Sequence, residues 1–166
     1  MIGMPRIWRS RRRTAQSIIG RVVGLLMVIA LLMGIGPLDR LPGARLVGNV
    51  VDAPIAAWGF VERAGHCQLE TRPQYPHSVT VNCWHVDGQL YIGCMHCQDK
   101  VWSHYVDRTK LARVKIASQI YPVILERATN AQEVAFSWAA RWDQLARVPP
   151  VPEVPEHYWL YRVTSR

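Results

Sequence analysis

No acidic residue occurs in the first 21 positions, and from Val22 to Leu38 there is no charge of either sign. The chain also has no phosphate-cradling glycine-rich loop, no dinucleotide fingerprint, no Ser-His-Asp spacing and no internal repeat. Those absences set aside P-loop nucleotide chemistry, dinucleotide-dependent Rossmann enzymes, triad hydrolases and solenoids. With 166 residues, about half of them hydrophobic, a wholly disordered chain is excluded as well.

What is present is unevenly placed. The net charge of +8 arises from 20 Lys and Arg against 12 Asp and Glu. Residues 1–45 hold eight Arg and one Asp, a net of +7; residues 46–166 hold 12 basic and 11 acidic side chains, a net of +1. A nearly neutral body offers no basic stripe to track a phosphate backbone, so no nucleic-acid partner is expected. The excess charge belongs instead to Arg6, Arg9, Arg11, Arg12, Arg13 and Arg21, which precede the uncharged run.

Seventeen uncharged residues rise about 25 Å as a helix, a little short of a ~30 Å hydrocarbon core. Ser17, Ile18, Ile19 and Gly20 extend the run if Arg21 snorkels. This predicts a basic cytoplasmic segment over 1–17 and a transmembrane anchor over 18–38, with the remainder outside the cytoplasm by the positive-inside rule. A cleaved signal peptide is the alternative, although the run is long for one and Pro42-Gly43-Ala44 is a poor exit site. A buried soluble helix would place six arginines beside a core. The expected location is therefore the cell membrane, single-pass, with the N-terminus inside.

Beyond a Pro- and Gly-punctuated linker, residues 39–63 are expected to carry a short helix between Leu46 and Val61. Strands are expected at Cys67–Arg72, at His77–Val86 and, across an Asp87-Gly88 turn, at Gln89–Cys94. The second of these alternates: Val79, Val81, Cys83 and His85 on one face, Thr80, Asn82, Trp84 and Val86 on the other. A loop over Met95–Asp99, helical turns over Lys100–Asp107 and strands over Arg113–Ser118 and Ile120–Arg127 follow. Asn130 is placed to cap an amphipathic helix with Glu133 in a capping-box position, and Val134, Trp138, Trp142 and Leu145 on one side. That side is core by default, with a cofactor role for the tryptophans as the alternative. The proline-rich stretch 149–155 is a stiff bridge to a last strand, His157–Val163.

This element order resembles the FMN-binding split β-barrel superfamily, the pyridoxamine phosphate oxidase-like flavoproteins and their deazaflavin-binding relatives. The stretch from His77 to Tyr105 carries the resemblance: a first hairpin, then a loop and a basic residue before a short helix. It implies a mainly β (α+β) fold, a split β-barrel with flanking helices over 64–166, preceded by the one transmembrane helix. It further implies FMN or deazaflavin as cofactor, with Lys100 on the phosphate, His77, Thr80 and Asn82 contributing from the hairpin, and Ser103 from the short helix, where relatives often have Asn. The loop that carries Ser, Thr and Arg in many relatives here reads Cys94-Met95-His96-Cys97-Gln98-Asp99. Relatives are commonly homodimers with the site between subunits, so a homodimer is implied too. The function implied is a membrane-anchored oxidoreductase of unknown substrate.

Cys67, Cys83, Cys94 and Cys97 form an even set, and an extracytoplasmic body favours disulfides of open connectivity. Cys94-Met-His-Cys97 admits two sharper readings. One is a redox-active pair preceding a helix; the other is half of a zinc site completed by Cys67 and Cys83 or by His85. A c-type haem site needs His where Gln98 stands. A second functional class therefore stays open: a membrane-tethered, non-enzymatic domain whose Cys/His cluster serves disulfides, metal or a partner.

Overall fold

The structure is a computed structural model that describes residues 19–26, 37, 41–72 and 74–166. The chain divides into two units, Met1–Ile35 and Gly36–Arg166. In the first, residues 19–26 are helical and expose Ile19, Val22, Val23, Leu25 and Leu26. The expected anchor at 18–38 otherwise lies outside the described residues, apart from Pro37, as does the whole basic segment 1–17. Among the described residues no helix is long and apolar enough to cross a membrane.

In the second unit the strands are β1 (Asn49–Val50), β2 (Gly65–Thr71), β3 (His77–Val86), β4 (Gln89–Met95), β5 (Leu111–Ile116), β6 (Gln119–Ala128) and β7 (Tyr158–Ser165). Two α-helices, α1 (Val101–Thr109) and α2 (Ala131–Gln144), and a 3-10 turn over Cys97–Asp99 complete it. Six antiparallel strands run in the order β6-β5-β2-β3-β4-β7, and β7 pairs again with β6, closing a barrel. Closure gives every barrel strand a neighbour on each side, although β4 covers β3 only from Asn82 to Val86. The split-barrel expectation, mainly β with flanking helices, is borne out.

The hairpin forms because Asp87 (φ 49°) and Gly88 (φ 80°) both take the left-handed conformation that a two-residue type I′ turn needs. The alternation read from β3 separates two cores. Val81 and Cys83 join Leu69, Ile92, Val114, Val123 and Tyr161 inside the barrel, while Trp84 and Val86 join Tyr91, Tyr158 and Leu160 under α2. Each fully buried Leu, Ile or Val contributes about 1.5–3 kcal/mol. β3 is thus buried on both faces over its second half.

α2 begins where Asn130 accepts hydrogen bonds from the amides of Gln132 (2.9 Å) and Glu133 (3.1 Å). Glu133 has a different task from the capping box expected of it. Its carboxylate accepts from Arg162 Nε (2.5 Å) and Nη2 (2.8 Å) and from the Tyr91 hydroxyl (3.1 Å), bolting the helix to β7 and β4. The Trp84 indole donates to the Ser137 carbonyl (3.1 Å), and Ser137 is fully buried. Trp138 and Trp142 donate to the carbonyls of Pro152 (2.9 Å) and Val148 (3.3 Å), so the tryptophan pair holds the proline-rich bridge against the helix.

The helix expected between Leu46 and Val61 does not form. The segment runs extended along the barrel: Gly43 pairs with Ser78, β1 adds a parallel strand to β6, and the Trp58 amide reaches the Gly88 carbonyl at 2.8 Å. Buried Glu70 explains the capture. It accepts from the Leu46 amide at 2.5 Å and pairs with Arg113 at 3.5 Å, while Arg113 donates to the Leu46 carbonyl at 2.9 Å. Trp58 then closes the barrel mouth edge-on to Tyr121 (5.2 Å between ring centroids). These barrel contacts, together with Pro54, outweigh the local helical pattern.

Candidate functional site

The loop after β4 determines where Lys100 sits. His96 takes a left-handed conformation (φ 50°), and its amide donates to the His157 carbonyl at 2.9 Å. The chain then turns so that the Asp99 and Lys100 amides donate to the carbonyls of His96 and Cys97, each at 3.1 Å. Lys100 is the N-terminal cap residue of α1 in extended conformation and provides no side-chain cap. Its ammonium is exposed, and among the described residues no carboxylate lies within ion-pair distance of it. The neighbouring Asp99 instead accepts from the Gln98 side chain at 3.4 Å. A cation with no carboxylate paired to it thus stands beside the free amides of a helix N-terminus, where an anion is favoured.

Two clefts flank this lysine. One, of about 430 Å³, includes His66, Thr80, Asn82, Gly93, Cys94 and Lys100 in its lining. The other, of about 460 Å³, includes Pro42, His77, Thr80, Asp99, Lys100 and Val101. Thr80, Lys100 and Trp102 line both, so the clefts meet along the start of α1. Four of the residues singled out from the sequence, Lys100, His77, Thr80 and Asn82, are brought together here. Ser103 is placed differently: it is fully buried, with Oγ 2.5 Å from the Cys97 carbonyl and 2.7 Å from that of Lys100. It lines neither cleft and braces the backbone that presents Lys100.

His77 is partly buried, and desolvation together with the nearby Arg72 holds its imidazole below the ordinary value of 6.5. At neutral pH it is therefore an uncharged donor or acceptor at the cleft rim. His66, Gly93 and Trp102 are not among the residues assigned to the cofactor site from the sequence. His66 reaches the site because β2 pairs it with Asn82, and Gly93 because β4 pairs it with Asn82 from the other side. Such register is long-range information that no local pattern of residues carries. Trp102 could have been suspected as the one large apolar residue in the first turn after Lys100.

The four cysteines form two disulfides, Cys67–Cys83 (Cα–Cα 5.9 Å) between β2 and β3 and Cys94–Cys97 (5.5 Å) across the loop. This settles the open connectivity and removes the thiolates that the zinc reading required. Among the described residues no three His, Cys, Asp or Glu side chains are gathered to hold a metal. A third cavity of about 460 Å³, between α1 and β6, is lined by cations that already have partners: Lys110 with Glu126 at 3.2 Å, Arg162 with Glu133, and Arg127 over the Trp159 ring at 3.6 Å.

No protein-family model and no curated protein matches the chain. Solved structures do. A Listeria innocua protein assigned as a pyridoxamine 5'-phosphate oxidase superposes with a TM-score of 0.51 at 11% identity, over 64% of this chain and 88% of its own. A Bacteroides thetaiotaomicron protein assigned as a 5-nitroimidazole antibiotic resistance protein gives 0.51 at 12% identity, over 68% and 82%. The resemblance read from the hairpin and its following loop is borne out at the level of the fold: the barrel of this chain has the fold of these two structures.

Proposed function

We propose that the protein is a membrane-anchored oxidoreductase that holds FMN or a deazaflavin in the paired clefts. The observation that carries this reading is the position of Lys100, a cation without a paired carboxylate at the N-terminus of α1, with both clefts opening beside it. The fit rests on size and donor chemistry. Each cleft lies within the ~300–1,000 Å³ range of small-ligand sites. Lys100 and the α1 amides would take the phosphate, with Thr80, Asn82 and neutral His77 as polar contacts for the ring system and Trp102 as an apolar wall. Once bound, such a cofactor supplies hydride or electron transfer. The rims expose Met95 (42%) and Val101 (54%), which supports a second copy of the chain closing the site as a homodimer.

Purification of the full chain in detergent, followed by an absorbance spectrum before and after addition of FMN or deazaflavin, tests the proposal. Bound cofactor in the native protein and its loss in Lys100→Glu are expected. A colourless protein that takes up neither compound would sink the reading. That result would select the alternative, a tethered non-enzymatic domain, which is favoured by the lack of an arginine in the Cys94–Asp99 loop and by cysteines committed to disulfides. Both readings place the barrel outside the cytoplasm, where disulfides persist.

A further inference from the structure

The strap over residues 41–47 has two unlike sides. Its inward side is fixed to the barrel. Gly43 exchanges two backbone hydrogen bonds with Ser78 (2.8 and 2.9 Å), the Leu46 backbone is held by Glu70 and Arg113 with its side chain buried, and Lys115 donates to the Val47 carbonyl at 2.7 Å. Its outward side is apolar and basic. Leu41 (67%) and Val47 (60%) are exposed, and so is Arg45 between them. Among the described residues no carboxylate lies within ion-pair distance of Arg45. Large apolar side chains turned outward beside an unpaired cation match a surface that is part hydrocarbon and part anionic headgroup.

The path of the chain says which surface this is. The second unit begins at Gly36, and Pro37, one residue before the end of the expected span, is already buried in it, its carbonyl accepting from Gln68 Nε2 at 3.4 Å. Cys67 and Leu69 of β2 face the barrel core, so Gln68 between them faces outward. Across the ladder Gln68 pairs with Thr80 of β3, which lines both clefts beside Lys100, and Pro42 of the strap lines one of them. A chain that meets the barrel before its expected span has ended has no linker to hold the barrel away from the bilayer. It meets the barrel on the outer wall of β2 and β3, the wall that the strap crosses.

We propose that the outward side of this strap, with the β2–β3 wall beneath it, is a membrane-facing surface that rests on the anionic phospholipid headgroups of the bilayer holding the anchor. Leu41 and Val47 enter the interfacial region, and Arg45 meets lipid phosphate. The inference rests on the reading of residues 18–38 as an anchor and adds the orientation of the barrel on the membrane. Its test separates the two by distance along the chain. Leu41 is four residues from Pro37, within ~14 Å, and reports the anchor; Val47 is ten residues away, up to ~35 Å, and reports the seating. Thr164 is the control, exposed on β7, which lies three strands from β2 in either direction around the barrel.

Leu41→Cys, Val47→Cys and Thr164→Cys each add one thiol to a chain whose four cysteines are paired, so an NBD fluorophore can be attached selectively. The full chain is placed in phosphatidylcholine–phosphatidylglycerol vesicles, and quenching by a lipid with a nitroxide on its headgroup is measured. All three positions are exposed, and near-UV circular dichroism checks that the fold is retained. Quenching at Val47 should match that at Leu41 and exceed that at Thr164 about threefold or more. Arg45→Glu should roughly halve quenching at Val47 and leave Leu41 unchanged; no change at Val47 would overturn the headgroup contact. Quenching at Leu41 with Val47 no better quenched than Thr164 refutes the seating and leaves the anchor standing. Equal quenching at all three sites overturns the seating as well, and none at any site overturns both claims. Emission at Val47 that follows the protein-to-lipid ratio instead of the quencher would assign the surface to a second copy of the chain and overturn the proposal.

Discussion

At the scale of single residues, two ionisable groups show how burial turns charge into structure. Glu70 is 3% exposed and holds both Arg113 and the Leu46 amide. Glu70→Ala strands the Arg113 guanidinium and frees the strap that β1 belongs to. We expect a loss of about 3 kcal/mol, measurable as a lowered denaturation midpoint. His77 behaves in the opposite sense, because its native imidazole is held below the ordinary 6.5 while the unfolded chain titrates normally. Well above that value it is neutral in both states and contributes no pH dependence. As pH falls through 6.5 the unfolded chain takes up the proton first, stability drops, and the drop ends below the native value. Thermal melts of His77→Gln should therefore lose less stability than the native protein between about pH 7 and pH 5; parallel curves would refute the assignment.

At the scale of elements, local signals were reliable where the element is stabilised locally. The β3–β4 hairpin was legible because alternation and Asp87-Gly88 point the same way, and α2 because Asn130 caps it. Asn130→Ala should cost about 1 kcal/mol, seen as a lower melting temperature with an unchanged native spectrum. Glu133 was legible as an important position but not in its role, since Arg162 and Tyr91 are brought to it by β7 and β4. The apolar stripe of α2 packs as expected, with Val134, Trp138 and Leu145 against the second core and Trp138 edge-on to Tyr158 of β7 at 4.9 Å between ring centroids. What the pattern did not show is Ser137, a small buried residue that lets Trp84 approach the helix. The segment 46–61 failed as a helix because its partners, Glu70, Tyr121 and Gly88, are far away in sequence and invisible to a local pattern.

At the scale of the whole molecule, the two disulfides carry unequal weight. Closing a 16-residue separation constrains the unfolded chain by about 3 kcal/mol, and closing three residues by about 2. Cys67→Ala/Cys83→Ala should accordingly lower the melting temperature further than Cys94→Ala/Cys97→Ala. The second bond instead fixes the loop that presents Lys100, and its loss should weaken cofactor uptake more than it weakens the fold. Topology is tested separately: alkaline phosphatase fused after Arg166 should be active outside the cytoplasm, and activity only inside would reverse the proposed orientation.

The sequence alone determined the segregation of charge, the hairpin, the capped helix and the succession of elements along the chain, because each depends on residues within a turn or two of one another. Tertiary structure decided the rest. Barrel closure pairs β7 with both β4 and β6, and pairing of Asn82 with His66 on one side and Gly93 on the other brings β2, β3 and β4 together as a wall of the cleft. Charges and hydroxyls become a site only when distant strands share a register, and register is set by burial of both faces of a closed sheet. The +7 at the N-terminus needs no such assembly, being a property of the chain before it folds.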